Sequence, residues 1–200
     1  MRARLALHYS SCKVELREVV LRDMPAAMLQ ASPKATVPVF VLANGTVIDE
    51  SLDIMHWALA QSDPEGWLSQ LESSQQQLAD ELIHQNDNDF KSHLDHYKYA
   101  VRFPERSMQD YRAEGEVFLA RLEQLLEKNV FLLSGAMSIA DAAIFPFVRQ
   151  FAHVDKTWFD QAPYSKLQAW LAAQMDAARF AAVMQKYTQW HEGDEVVVFP

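Results

Sequence analysis

The stretch Ser32-Pro33-Lys34-Ala35-Thr36-Val37-Pro38-Val39-Phe40-Val41-Leu42-Ala43-Asn44-Gly45-Thr46-Val47-Ile48-Asp49-Glu50-Ser51 decides how this chain is read. β-branched runs lie on both sides of Asn44-Gly45. Asn-Gly tolerates positive φ at both positions and favours a two-residue type I′ turn. The stretch therefore predicts an antiparallel hairpin. Ser51 then opens a helix carrying Ile54, Met55, Trp57, Ala58 and Leu59. Upstream, Arg2–Tyr9 holds helix formers with Leu5 and Leu7 apolar. Val14–Leu21, rich in Val and Leu, predicts a strand. Pro25–Ala31 predicts a short helix with proline in its first turn.

Downstream the composition changes. Ser62-Asp63-Pro64-Glu65-Gly66 is a cluster of breakers and predicts a linker over 62–67. Beyond it the chain reads as helix over 68–190. Leu71, Leu78, Leu82, Phe90, Leu94, Tyr97 and Val101 fall mostly at spacings of three, four and seven. They predict one long helix of about eight turns, ended near Phe103-Pro104. A second helix carries Tyr111, Phe118, Leu122, Leu125 and Leu126. A third opens at Ser138-Ile139-Ala140-Asp141, a capping box with Asp in place of Glu. Its continuation, Ala142–Val148, is apolar on nearly all sides, so this helix should be central and buried, with Pro146 kinking or loosening one turn. Further helices are expected around Leu167–Met175 and Ala177–Tyr187. Residues 191–200 read as an extended tail. The organisation expected is an α/β part over 1–61 and an all-α part over 68–190.

Composition narrows the function. Of 200 residues half are apolar and 22% charged, enough for a real core, and the net charge is −9. That charge argues against nucleic acid and against an anionic membrane surface, both of which attract clustered Lys and Arg. One cysteine excludes an intramolecular disulfide framework and a cysteine-based zinc finger. No apolar run approaches the roughly 18–20 residues that span a bilayer. Arg2, Arg4 and the short Leu5–Leu7 stretch are too little for a signal peptide. The simplest reading is a soluble cytoplasmic protein.

A β-α-β-β-α pattern followed by an all-helical half is a narrow architecture. Ser32–Val39, Asp49-Glu50-Ser51 and Ser138–Asp141, in this order and at these separations, resemble the cytosolic glutathione S-transferases. The likeness covers essentially the whole chain and is greatest to bacterial omega-like or glutaredoxin-2-like members. It implies a thioredoxin-like α/β domain followed by an all-α domain. It implies glutathione as co-substrate, with no metal, and a small hydrophobic electrophile or a mixed disulfide as second substrate. Many relatives form homodimers and some do not. In the family the proline of the Val37-Pro38 pair is cis, and the residue before it offers its backbone N–H and C=O to the cysteinyl part of glutathione. Glu50 would pair with the γ-glutamyl ammonium. Ser51, at a helix N-terminus where the dipole favours anions, would hold the neighbouring carboxylate. Lys34 would approach the glycyl carboxylate. Taken residue by residue, other roles stay open: Pro38 as an edge-strand proline, Ser51 as an N-cap, Glu50 as a first-turn acid.

The same resemblance marks a departure. Family members begin with a strand and then a helix whose N-terminus holds a catalytic Cys, Ser or Tyr; this sequence begins inside that helix. The missing strand would lie between the Val14–Leu21 strand and the hairpin, leaving backbone edges open. The Val196–Phe199 tail is a conceivable patch, although nothing in the sequence positions it there. Cys12 is the single thiol. It lies toward the C-terminal, negative end of the first helix, which disfavours a thiolate. No catalytic residue is assigned. The leading expectation is glutathione conjugation or glutathione-dependent thiol exchange; the alternative is a noncatalytic glutathione-binding or protein-interaction module on the same fold. Asp89, His93 and His96, with His84 and Asp87 nearby, form a stripe that could bind a metal but reads more simply as a polar face. Tyr97, Tyr99 and Phe103 could line a substrate cleft or belong to the core.

Overall fold

A computed structural model describes residues 1–199. It divides into two compact units, Met1–Glu65 together with Ala178–Pro200, and Gly66–Ala177. The first unit opens with helix α1 (Arg2–Tyr9), strand β1 (Val14–Glu15) and helix α2 (Ala26–Ala31), for which Pro25 is the N-cap. The expected strand over Val14–Leu21 is shorter than predicted: only its first two residues join a ladder, and Val20 makes an isolated bridge to Asp23. Strands β2 (Phe40–Val41) and β3 (Val47–Ile48) form the hairpin, with Phe40 opposite Ile48 and Val41 opposite Val47. Helix α3 (Ser51–Gln61) follows and packs against α1. Leu5, Ala6, Ile54, Met55 and Ala58 are buried there, and the Phe40 and Trp57 rings meet edge to face at 4.8 Å.

The hairpin turn is not type I′. Gly45 has φ +85°, whereas Asn44 is not among the residues with positive φ. Gly45 N–H donates to Leu42 C=O at 2.9 Å, and Leu42 N–H donates to Thr46 C=O at 2.8 Å. This is a three-residue loop in which a single glycine supplies the left-handed conformation. The Asn44 side chain instead accepts from Thr46 N–H at 3.0 Å.

The second unit is helical. The single long helix expected over Leu71–Phe103 is interrupted. Helix α4 (Ser73–Gln85) gives way to a π-helical turn over Asn86–Phe90, then α5 (Lys91–Lys98) and a 3-10 turn over Ala100–Arg102. The π-turn takes in Asn86-Asp87-Asn88-Asp89, and the backbone stays helical on both sides of it. Short polar side chains compete with backbone groups for hydrogen bonds, and the Asn88 amide donates to His84 C=O at 2.8 Å.

Helix α6 (Met108–Leu126) is opened by a reciprocal Ser107–Asp110 capping box. Within it Gly115 lets the Phe151 ring come so close that a Cβ would lie 2.4 Å from it. Helix α7 (Ile139–Ala152) is buried over most of its length, as its all-round apolar sequence requires, and stays helical through Pro146. Helices α8 (Lys156–Gln161), which the sequence did not announce, and α9 (Ser165–Asp176) complete the unit.

The chain then returns to the first unit. Helix α10 (Ala178–Val183) packs on α1, and strand β4 (Val198–Phe199) pairs antiparallel with β1, Val14 opposite Phe199. Leu16 N–H donates to Val197 C=O at 2.7 Å, Trp190 N–H donates to Glu18 C=O at 2.8 Å, and Phe199 is 1% exposed. Two expectations change accordingly. The compact units divide at 177 rather than 190, and Val198–Phe199 of the expected tail form a partner strand for β1. Pro200, the last residue of that tail, lies outside the described residues. The breaker cluster is also tied down, for the Tyr9 hydroxyl donates to Asp63 at 2.8 Å and accepts from Glu65 N–H. Trp67, expected in the linker, is fully buried in the helical unit. No helix among the described residues is long and apolar enough to cross a membrane.

Candidate functional site

Antiparallel pairing sends the start of β2 and the end of β3 to the same end of the hairpin. Val37-Pro38 enters β2 there, through a cis peptide bond. Asp49 and Glu50 leave β3 there, and Ser51 starts α3. The loop before the proline is fastened to this end. Ser32, 1% exposed, donates its hydroxyl to Asp49 Oδ2 at 2.7 Å. Lys34 Nζ reaches Asp49 Oδ1 at 3.0 Å and Glu50 Oε1 at 2.9 Å. Ala35, between them and the proline, sits at φ +53°. The Ser32 hydroxyl, followed by the Lys34 ammonium, holds Asp49 below its ordinary value, while hydrogen bonds to Glu50 and then Asp49 raise Lys34.

Other groups at this end are unengaged. Glu50 is the N-cap of α3, but its side chain does not cap the helix. The first-turn N–H groups of a helix have no intrahelical acceptor. Among the described residues the Ser51 hydroxyl makes no hydrogen bond, nor do the backbone N–H and C=O of Val37, which is 47% exposed. Two carboxylates share one ammonium, so a negative charge is left over beside an uncapped, electropositive helix start. Such an arrangement complements a zwitterion: an ammonium for the acids, a carboxylate for the helix donors.

All four residues expected to bind, Val37, Pro38, Glu50 and Ser51, thus lie at one end of the hairpin. Lys34 differs from its expected place, being bound to Asp49 and Glu50. Sequence reasoning gave Ser32 and Asp49 no role, although both stand in the quoted motifs; a serine and an adjacent second acid were the available signal.

Cys12 stands just past α1. Its thiol contacts Ser10 C=O at 3.8 Å, and burial pushes its pKa up, keeping it protonated. The histidine stripe disperses. His93 Nδ1 lies 3.2 Å from Glu114, and His96 packs edge to face on Phe103 with ring centres 4.3 Å apart. Among the described residues no group of three or more His, Cys, Asp or Glu is placed to hold a metal ion. Tyr97 belongs to the core, 4.8 Å from the Phe151 ring centre, whereas Lys98 and Arg102 lie over the Tyr99 ring.

An α/β unit with an open hairpin-end site, joined in sequence to an all-α unit, is the thioredoxin-like plus helical class of chain. The profile of the glutathione S-transferase N-terminal domain matches residues 1–66, and that of the family's C-terminal domain matches residues 107–173. The chain belongs to the glutathione S-transferase family.

Solved structures agree in fold. BphK, described as a bacterial glutathione S-transferase and solved as a ternary complex, is 18% identical, with 92% of each chain covered and a TM-score of 0.76. URE2P6 from Phanerochaete chrysosporium, solved with oxidized glutathione, is 16% identical over 91% of this chain and 88% of its own, with a TM-score of 0.77. A glutathione transferase from Methylococcus capsulatus is 20% identical, covering 92% and 91%, with a TM-score of 0.75. No curated protein matches the sequence.

Proposed function

We propose that this chain binds glutathione through Val37, Pro38, Glu50 and Ser51 and serves glutathione-dependent chemistry, either conjugation to a small hydrophobic electrophile or thiol exchange with a mixed disulfide. The observation that carries the reading is the set of groups at the hairpin end: an unengaged backbone N–H and C=O at Val37 and an unengaged Ser51 hydroxyl at an uncapped helix start, beside the exposed Glu50 carboxylate that only Lys34 contacts among the described side chains. The Val37 pair matches the amide edges of an extended peptide. Glu50 and Ser51 match an amino acid's ammonium and carboxylate. URE2P6 in complex with oxidized glutathione supports the ligand class. A reducing, glutathione-rich cytoplasm suits a chain with one free thiol.

Calorimetric titration with glutathione tests the site. Loss of a hydrogen bond to a charged group costs about 1.5–3 kcal/mol, so Glu50→Ala and Ser51→Ala should each weaken binding about tenfold or more. Affinity unchanged in both variants overturns the assignment.

Cys12 is given no part in activating the glutathione thiol under this reading, because it stands past the C-terminal, electronegative end of α1 with its thiol on Ser10 C=O. That observation favours a second reading, a glutathione-binding module without turnover. Glutathione affinity with no conjugation and no disulfide exchange would establish it.

A further inference from the structure

We infer that Lys34 is a built-in occupant of the ammonium half of this site, a side chain that must release Glu50 before a γ-glutamyl ligand binds and so sets the affinity for that ligand class. The inference rests on the glutathione reading above. Lys34 Nζ lies 2.9 Å from Glu50 Oε1, within the reach that an incoming α-ammonium would need. The same nitrogen lies 3.0 Å from Asp49 Oδ1.

The two carboxylates are not equivalent. Asp49 has 25% side-chain exposure and is anchored by the buried Ser32 hydroxyl. Glu50 has 63% side-chain exposure, and Lys34 is its one side-chain partner among the described residues. Partner exchange therefore occurs at Glu50. The ligand ammonium takes Glu50, Lys34 stays on Asp49, and each acid then holds one cation. The ligand's ammonium matches the unpaired acid, and its carboxylate faces the donors of the α3 start. Lys34 thus discriminates by ammonium: a ligand with a free α-ammonium displaces it, and an N-acylated one has nothing to offer Glu50.

The opposite role, Lys34 gripping the glycyl carboxylate, predicts the opposite sign. Exposed ion pairs are worth a fraction of a tenfold change, so removing the internal competitor should tighten binding by about two- to fivefold. The experiment is calorimetric titration of wild type, Lys34→Gln, Lys34→Arg and Glu50→Gln with glutathione and with γ-glutamylcysteine, which lacks the glycyl carboxylate.

The expected result is tighter binding of both ligands by Lys34→Gln, near-wild-type binding by Lys34→Arg, and a gap that narrows as salt screens the ion pair. Weaker binding of glutathione alone by Lys34→Gln would mean that Lys34 holds the glycyl end, and it overturns the inference. Unchanged affinity for both ligands overturns it as well. If Glu50→Gln matches wild type, or wild type binds neither ligand, the site reading itself fails and the Lys34 role falls with it.

Discussion

The starts of α7 and α3 each carry an acid and a serine and use them in opposite ways. At α7 the chain closes on itself. Asp141 Oδ2 accepts from the Ser138 N–H at 3.0 Å and the Ser138 hydroxyl at 2.7 Å, and its Oδ1 accepts from Leu132 N–H and Trp170 Nε1–H, both at 2.9 Å. The carboxyl is fully buried, and burial raises its pKa against the pull of those donors. At α3 the acid is exposed, the helix is uncapped and Ser51 has no partner among the described residues. The first arrangement leaves nothing for a ligand. The second leaves backbone donors and a hydroxyl directed at no other part of the chain, and a carboxylate held only by the exposed Lys34 ammonium. A helix start is structural or receptive according to whether its own chain satisfies it.

The largest effect should come from breaking the closed start. Asp141→Ala strips the acceptor from three N–H donors in a buried place and should destabilise the protein by roughly 3 kcal/mol. Urea denaturation would measure it. A loss under about 1 kcal/mol would mean that the four contacts are not holding the helix.

That closed start was legible, because Ser138 and Asp141 stand three apart before an apolar run and need only local geometry. The hairpin was legible for the same reason, yet its turn type was not. Asn-Gly allows two residues at positive φ but does not require it, and here Asn44 uses its side chain on Thr46 instead. Apolar periodicity carried the long helix past Asn86–Asp89, because a heptad count does not register the polar side chains that interrupt the turn there. Least legible was the pairing of β4 with β1. Val196–Phe199 reads as a strand from its residues, but nothing local names a partner at the far end of the chain. The same limit applies at the site. Glu50 and Ser51 are adjacent and could be read together, whereas the Ser32–Asp49 and Lys34–Glu50 contacts form only once the hairpin has folded back.

The open start should respond in the reverse manner to the closed one. Glu50→Ala and Ser51→Ala remove groups that make few internal contacts, so each should shift the thermal midpoint by no more than about 2 °C. Differential scanning calorimetry without ligand is the measurement. A shift as large as that of Asp141→Ala would show that α3 depends on these residues for folding, and the contrast between the two starts would disappear.

The smallest effect separates the two acids by the sign of their pH dependence. Asp141 is raised by burial, so its contribution to stability declines as pH rises from the ordinary carboxylate value to its folded value. Asp49 is lowered, first by the Ser32 hydroxyl and then by Lys34, so its contribution is complete above the ordinary value near about 3.9 and is lost as pH falls through its lower folded value. Asp49→Asn should therefore lower the thermal midpoint by about 1–2 °C at neutral pH, and the gap from wild type should close on the acid side. Midpoints measured between pH 7 and pH 3 would test this. A gap that stays constant across that range would mean that Asp49 supports the loop by shape rather than by charge. Lys34 would then be held near Glu50 without the anchor that makes Glu50, rather than Asp49, the acid it releases.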